Sequence, residues 1–159
     1  MSARSLKDSI VKLQIDGPPE GGGFKLQTMN LNGFTGTSGD GLLSVGGFTG
    51  FEDPDAGLVT LFVINNRPSV DSESGELLDQ PSVGANATID VFRTTSNDQD
   101  LEFVRTFSDQ HIATPNRVAA LSATSFYVTN DHGKNKLGVV SEDATFRNGA
   151  KDTYCLIIS

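Results

Sequence analysis

Apolar and polar residues alternate with a period of two along almost the whole chain. In "SIVKLQID", Val11, Leu13 and Ile15 alternate with Lys12, Gln14 and Asp16, which predicts a half-buried strand. "GPPEGGG" then forces a turn or loop, because Pro and Gly cannot extend a ladder. "FKLQTMNL" alternates again. "GLLSVGGF" is short and apolar, and its Gly46 and Gly47 mark a bulge or a close backbone approach. "GLVTLFVIN", Gly57–Asn65, is nearly continuous apolar and β-branched, the pattern of a strand covered on both faces. "ATIDVFRT" and "LEFVRTF", separated by "TSNDQD", predict a β-hairpin. "RVAAL", "SFYVTN", "KLGVV" and "TYCLIIS" read as further strands. No run shows helical periodicity with caps at both ends. The expected fold is all-β, built of antiparallel meanders, with Val59, Phe62, Ile64, Ile89, Val91, Phe103, Val118 and Phe126 in the core.

Between the strands lies one long polar insertion, "NRPSVDSESGELLDQPSVGAN". Its acidic part, residues 70–86, is expected to be disordered or draped over the surface. About ten short strands fit a sandwich, a barrel or part of a propeller. A propeller blade takes about 40–45 residues and four strands, so this length holds about two and a half blades. The chain begins almost inside a strand and stops on the apolar "CLIIS". That bare edge carries the expectation of a partial propeller spanning 1–159.

Charge narrows the partners. The formal net charge is −8 and no basic stretch exists, which opposes a nucleic-acid backbone or an anionic membrane. A negative field favours cations. The single cysteine, Cys155, excludes an intrachain disulfide and a cysteine-based zinc site, and it reads as a buried inert thiol. The two histidines, His111 and His132, are too few for a histidine-rich metal site. No run approaches a membrane span. "MSARSLKDSIVKLQID" lacks the apolar segment of a signal peptide, so a cytoplasmic location is expected.

Two stretches raise a chemical question. "TPNRVAAL" and "SFYVTNDHG" each carry an asparagine at or beside the end of an apolar run, and the second continues Asp-His-Gly. Oxygens held at strand ends can converge on a hard cation. Turn chemistry explains the same residues: Asn116 after Pro115, and Asn130-Asp131-His132-Gly133 as a strand-ending turn. His111 reads as an exposed loop histidine with Asp109 close in sequence. Glu52-Asp53-Pro54-Asp55 reads as a solvated hairpin turn without EF-hand spacing.

The order "LFVINNRPS", "ATIDVFRT", "LEFVRTF", "TPNRVAALSATSFYVTNDHG" resembles the serum paraoxonase/arylesterase family, nearly colinearly from about residue 9 to 133. The resemblance implies two to three blades of a six-bladed β-propeller of the gluconolactonase-like kind. It implies a calcium ion in the central tunnel, polarising an ester, lactone or phosphoryl oxygen, and a histidine dyad that activates water. A second calcium holds the fold. Asn116 falls on a calcium-ligand asparagine, and Asn130, Asp131 and His132 match a stretch that supports the metal and the tunnel. Three positions depart from the family. Arg117 stands where an aspartate follows the ligand asparagine. Gly46 and Asn66 (or Arg67) stand at the two catalytic histidines, so no catalytic residue is assigned.

Two functions follow. One is a calcium-dependent arylesterase/lactonase-type hydrolase, incomplete in this chain. The other is a non-catalytic propeller remnant or binding module without a complete metal site. The implied partner is a small ester or lactone, with self-association through exposed blade edges also expected. Members of the family are often secreted, in contrast to the cytoplasmic location expected from the N-terminus.

Overall fold

The computed structural model describes residues 7–15 and 24–130, and the backbone of 155–158. Apart from one four-residue helix, its regular elements are strands, as the alternation predicts. Four consecutive strands form an antiparallel meander: β4 (Val45–Asp53), β5 (Leu58–Pro68), β6 (Ala85–Thr95) and β7 (Asp100–Phe107). β8 (Pro115–Ala120), β9 (Phe126–Asn130) and β10 (Cys155–Ile158) form a second antiparallel sheet. β1 (Val11–Gln14) and β2 (Lys25–Thr28) pair as a separate two-stranded ribbon.

The connections in the meander are local and set by named residues. Between β4 and β5, Asp53 Oδ1 accepts the backbone N–H groups of Asp55 (3.1 Å) and Ala56 (3.2 Å). Gly57 then takes φ +61°, where a side chain would be strained. The acidic turn is the solvated hairpin the sequence predicts. Between β6 and β7, Asp98 Oδ2 accepts the hydroxyl of Thr95 at 2.7 Å.

β5 is covered on both faces, as its continuous apolar run requires. Phe62 and Ile64 point into a core with Ile89, Val91, Phe126 and Val128. Val63, from the opposite face, packs with Phe92, Leu101, Leu43, Phe34 and Met29. The first core is the seam between the meander and the β8–β9 pair. Phe126 lies against Phe62 with ring centroids 5.0 Å apart and against Phe107 at 5.3 Å. Of the expected core residues, Val59, Phe103 and Val118 are half-buried and the other five are fully buried.

Several expectations are corrected. Val11, Leu13 and Ile15 of the first strand segment are exposed, at 52, 47 and 66%. The half-buried polar Lys12 sends its Nζ to the carbonyls of Ser96 and Asp98. The alternation there is real, but the ribbon attaches by its polar face. β3 (Asn30–Asn32) joins β7 in parallel rather than antiparallel register. Asn30 and Asn32 donate to Asp100 and Glu102, both at 2.8 Å, so side-chain amides tie the parallel pair.

The acidic segment 70–86 is surface-draped and locally structured. Val70 bridges Leu77, and Asp71 Oδ1 accepts the N–H groups of Glu73 (3.0 Å) and Ser74 (2.8 Å). A short helix, α1 (Gln80–Val83), follows. Ala85 and Asn86 already belong to β6, so the loop closes two residues earlier than expected. The predicted strand "KLGVV" lies outside the described residues.

Candidate functional site at the leading ends of β4 and β8

β4 and β8 start side by side. A Cβ added to Gly47 would lie 3.7 Å from the backbone oxygen of Asn116. Each is an edge strand of its sheet, and each begins with the same device. Val45 pairs with Asn65 before a bulge between Val45 and Gly47. Pro115 pairs with Asn130 before a bulge between Pro115 and Arg117. The skipped residues are Gly46 and Asn116, so these two occupy equivalent places on neighbouring strands.

A buried asparagine holds each beginning. Asn65 Oδ1 accepts the N–H of Ser44 at 2.8 Å, and Asn130 Oδ1 accepts the N–H of Thr114 at 2.9 Å. Both residues precede the strand by one. The other half of each amide is also engaged. Asn65 Nδ2 donates to Asp90 Oδ2 (2.8 Å), and Asn130 Nδ2 donates to the carbonyl of His111 (2.7 Å). The backbone N–H groups where a chain turns into a strand have no ladder partner, and a buried one left unmade is costly. The asparagines close that gap.

The question raised by the two asparagine-bearing stretches is answered differently for each. Asn130 is a clamp, its amide spent on backbone groups. Asn116 sits at the bulge, exposed. Asp131 and His132 lie outside the described residues. Asn65 was not singled out from the sequence, although "LFVINN" and "FYVTND" share one pattern: an apolar run closed by asparagine and a second polar residue.

At the positions of the missing histidines the space is filled. A Cβ on Gly46 would lie 2.6 Å from Asn66 Nδ2 and 2.9 Å from Ile64 Cγ2. Asn66 thus occupies the volume a side chain at 46 would need. Gly46→Ala is expected to lower stability by about 1–3 kcal/mol, because the fully buried Ile64 cannot yield. Trimming Asn66 to alanine in the same chain relieves part of that loss, which a double-mutant cycle in urea reads directly. Arg67 is buried and bonds through Nη2 to the carboxylate of Asp40, whose Oδ1 accepts the N–H of Leu42 at 3.0 Å. It fastens the 34–43 loop. Arg117 is exposed just past the bulge, opposite Thr129.

His111 lies exposed on the loop leading into β8, with Nδ1 2.7 Å from Asp109 Oδ1. Hydrogen bonds from the backbone N–H and then the ring of His111 hold the Asp109 carboxyl below its ordinary range. It is the backbone of His111, through its carbonyl, that takes part in the clamp.

Asp90 is the buried charge of this region. It faces Thr106 across the hairpin, whose hydroxyl donates at 2.6 Å, and takes the amide of Asn65. Burial raises its pKa above 3.8, and the hydrogen bonds from Thr106, Asn65 and Thr88 offset only part of that. A raised folded pKa means a stability contribution present in full below the unfolded value and lost as pH rises through the folded value. The stability of the wild-type protein relative to Asp90→Asn is therefore expected to fall as pH rises from about 4 towards neutrality. Urea denaturation of both proteins across that range measures the difference.

Calcium takes about six to eight oxygens. Among the described residues no group of three His, Cys, Asp or Glu is gathered for a metal. Asn116 is the ligand candidate whose amide is not already committed to a clamp.

The arylesterase family model matches residues 77–140. Over that stretch the chain is similar to the arylesterase family. The matched stretch runs from the end of the acidic segment through β6, β7, β8 and β9, and includes Asn116, Arg117, Asn130, Asp131 and His132. Gly46 and Asn66 lie before the match. No curated protein matches the chain. Among the described residues no helix is long and apolar enough to cross a membrane.

Proposed function

We propose that the chain is a β-propeller module of the arylesterase kind, carrying the scaffold of an ester- or lactone-hydrolysing site without, among the described residues, the groups that activate water. The β4–β7 meander is one blade, and β8–β10 open the next. Their first strands lie side by side with equivalent bulges facing one end, and that juxtaposition carries the reading. In a propeller, first strands line the central tunnel, where oxygens from several blades can meet a cation. Asn116 is the ligand this chain offers to calcium. Gly46 and Asn66 form the adjoining wall, and neither can serve as a general base at neutral pH.

The 159-residue chain by itself is therefore expected to show no calcium-dependent turnover of phenyl acetate or a δ-lactone, with calcium or with chelator. The second reading, a competent hydrolase, rests on Asp131 and His132, which directly follow the Asn130 clamp in sequence. Calcium-dependent hydrolysis lost on Asn116→Ala would establish that reading and overturn the first.

A further inference from the structure

Residues 8–12 run along the second core with alternate side chains turned inward. Asp8, Ile10 and Lys12 are half-buried, and Ser9 and Val11 between them are exposed. The three inward side chains meet three different parts of the fold. Asp8 bridges Leu43, donating its N–H to the Leu43 carbonyl (3.1 Å), and its Oδ2 accepts the N–H of Val45 at 2.8 Å. Ile10 packs against the core of Met29, Leu43, Val63 and Phe92, and its carbonyl accepts the N–H of Met29 at 2.9 Å. Lys12 Nζ donates to the carbonyls of Ser96 and Asp98.

Those attachments lie at opposite ends of the meander. Val45 opens β4 and pairs with Asn65, which pairs with Thr88 near the start of β6. Ser96 and Asp98 follow Thr95, the last residue of β6. The segment therefore joins the leading end of an edge strand to the turn at the far end of the same sheet, with an apolar anchor between.

The leading end of β4 is built to open before the rest. β4 is an edge strand, and Gly46, Gly47 and Gly50 bring no side chain to pack. The bulge between Val45 and Gly47 interrupts its ladder. Ahead of the bulge, Asp8 holds Val45, Asn65 holds Ser44, and the Asn66 N–H donates to the Ser44 carbonyl at 2.8 Å. β5 and β6 instead have neighbours on both sides and carry the fully buried Ile64 and Ile89. Segments with few buried contacts open locally, at a lower cost than unfolding of the whole domain.

We propose that residues 8–12 form a strap that governs local opening at the leading end of β4. When the strap lets go, Ser44–Gly47 lifts from β5 while the rest of the sheet stays folded. Asp8 is the positioning residue at one end, and Lys12 is the fastening at the other. One short segment carries both, so loss of either end loosens the other. The Gly46 wall beside Asn66 and Asn116 opens and closes with the strap. That consequence rests on the tunnel reading of the β4 end; the strap itself does not.

Amide hydrogen exchange of the 159-residue chain tests the strap without calcium or substrate, so its failure is separate from a failure of the tunnel reading. The reporters are the N–H groups of Ser44 and Asn66, whose partners are Asn65 and Ser44 rather than the strap. Asp8→Ala is expected to speed exchange at both by about tenfold, with Ile64 and Ile89 changing by less than about twofold. Asp8→Asn keeps an oxygen acceptor and is expected to stay near the wild type. Lys12→Met keeps the apolar stem and removes the ammonium. From the far end of the sheet, it is expected to speed exchange at Ser44 and Asn66 by about threefold or more. Unchanged exchange at these reporters in Asp8→Ala would overturn the proposal. So would unchanged exchange there in Lys12→Met, which would make the two ends independent contacts. Equal acceleration at Ile64 and Ile89 would also overturn it, because the loss would then be global.

Discussion

Phe126→Ala is expected to destabilise the protein by about 3–5 kcal/mol, the largest effect of any single truncation considered. Phe126 is fully buried at the start of β9 and touches aromatic rings from two strands of the neighbouring sheet, Phe62 of β5 and Phe107 of β7. Its removal opens a cavity at the seam, where the surrounding side chains come from two different sheets. A backbone ladder on both sides keeps those sheets from closing the gap, which places the cost at the upper part of the range for aromatic truncation. Phe103→Ala, in the half-buried part of the opposite core, is the control and is expected to cost less. Equilibrium urea unfolding of the two variants compares them; equal losses would show that the seam is no tighter than the outer core.

Asn65→Ala is expected to cost about 2–3 kcal/mol, from one small polar side chain. The substitution strands the N–H of Ser44 and leaves Asp90 Oδ2 with only the longer bond from the Thr88 hydroxyl, at 3.4 Å. The Asp90 charge is already disfavoured by burial, and without the amide its pKa rises further. Asn65→Asp separates the two effects. It keeps an oxygen for Ser44 but places a second carboxylate against Asp90, where the amide now donates at 2.8 Å. Two carboxylates in contact share a proton, so this variant is expected to be unstable at neutral pH and to recover as pH falls. A loss independent of pH would show that the Asp90 contact contributes nothing to the clamp.

The clamps change how the asparagines of this chain are understood. A family resemblance and a strand-end position both point to Asn116 and Asn130 as a pair with one purpose. The structure separates them. Asn130 belongs with Asn65, each buried and bonded to the residue before a first strand, while Asn116 belongs with Gly46 at the bulges. Asn65 escaped the sequence because it closes an apolar run, where an asparagine followed by a second polar residue reads as ordinary turn chemistry. Asp90 escaped in "ATIDVFRT" for a different reason: alternation reads it as an outward residue although Val63 and Thr106 flank it across the sheet.

What the amino-acid sequence by itself determined is everything that depends on a few neighbouring residues. The period of two makes the strands, and Asp53 with Gly57 makes the β4–β5 turn. The Gly46-Gly47 pair marks the bulge, and the unbroken apolar run of β5 requires cover on both faces. These are short-range because backbone sterics and side-chain alternation act within a turn or a strand. Only the tertiary structure decided which face each strand buries. The period of two states which side chains share a face and is silent on what lies against it. Val11, Leu13 and Leu26 share a face as cleanly as Phe62 and Ile64, yet the first set meets water and the second meets Phe126. Distant segments made that choice: Lys12 found the carbonyls of the β6–β7 turn, and β9 arrived over β5. The parallel seat of β3 and the two asparagine clamps were decided in the same way, by partners about 16 to 70 residues away along the chain, whose contacts no local pattern encodes.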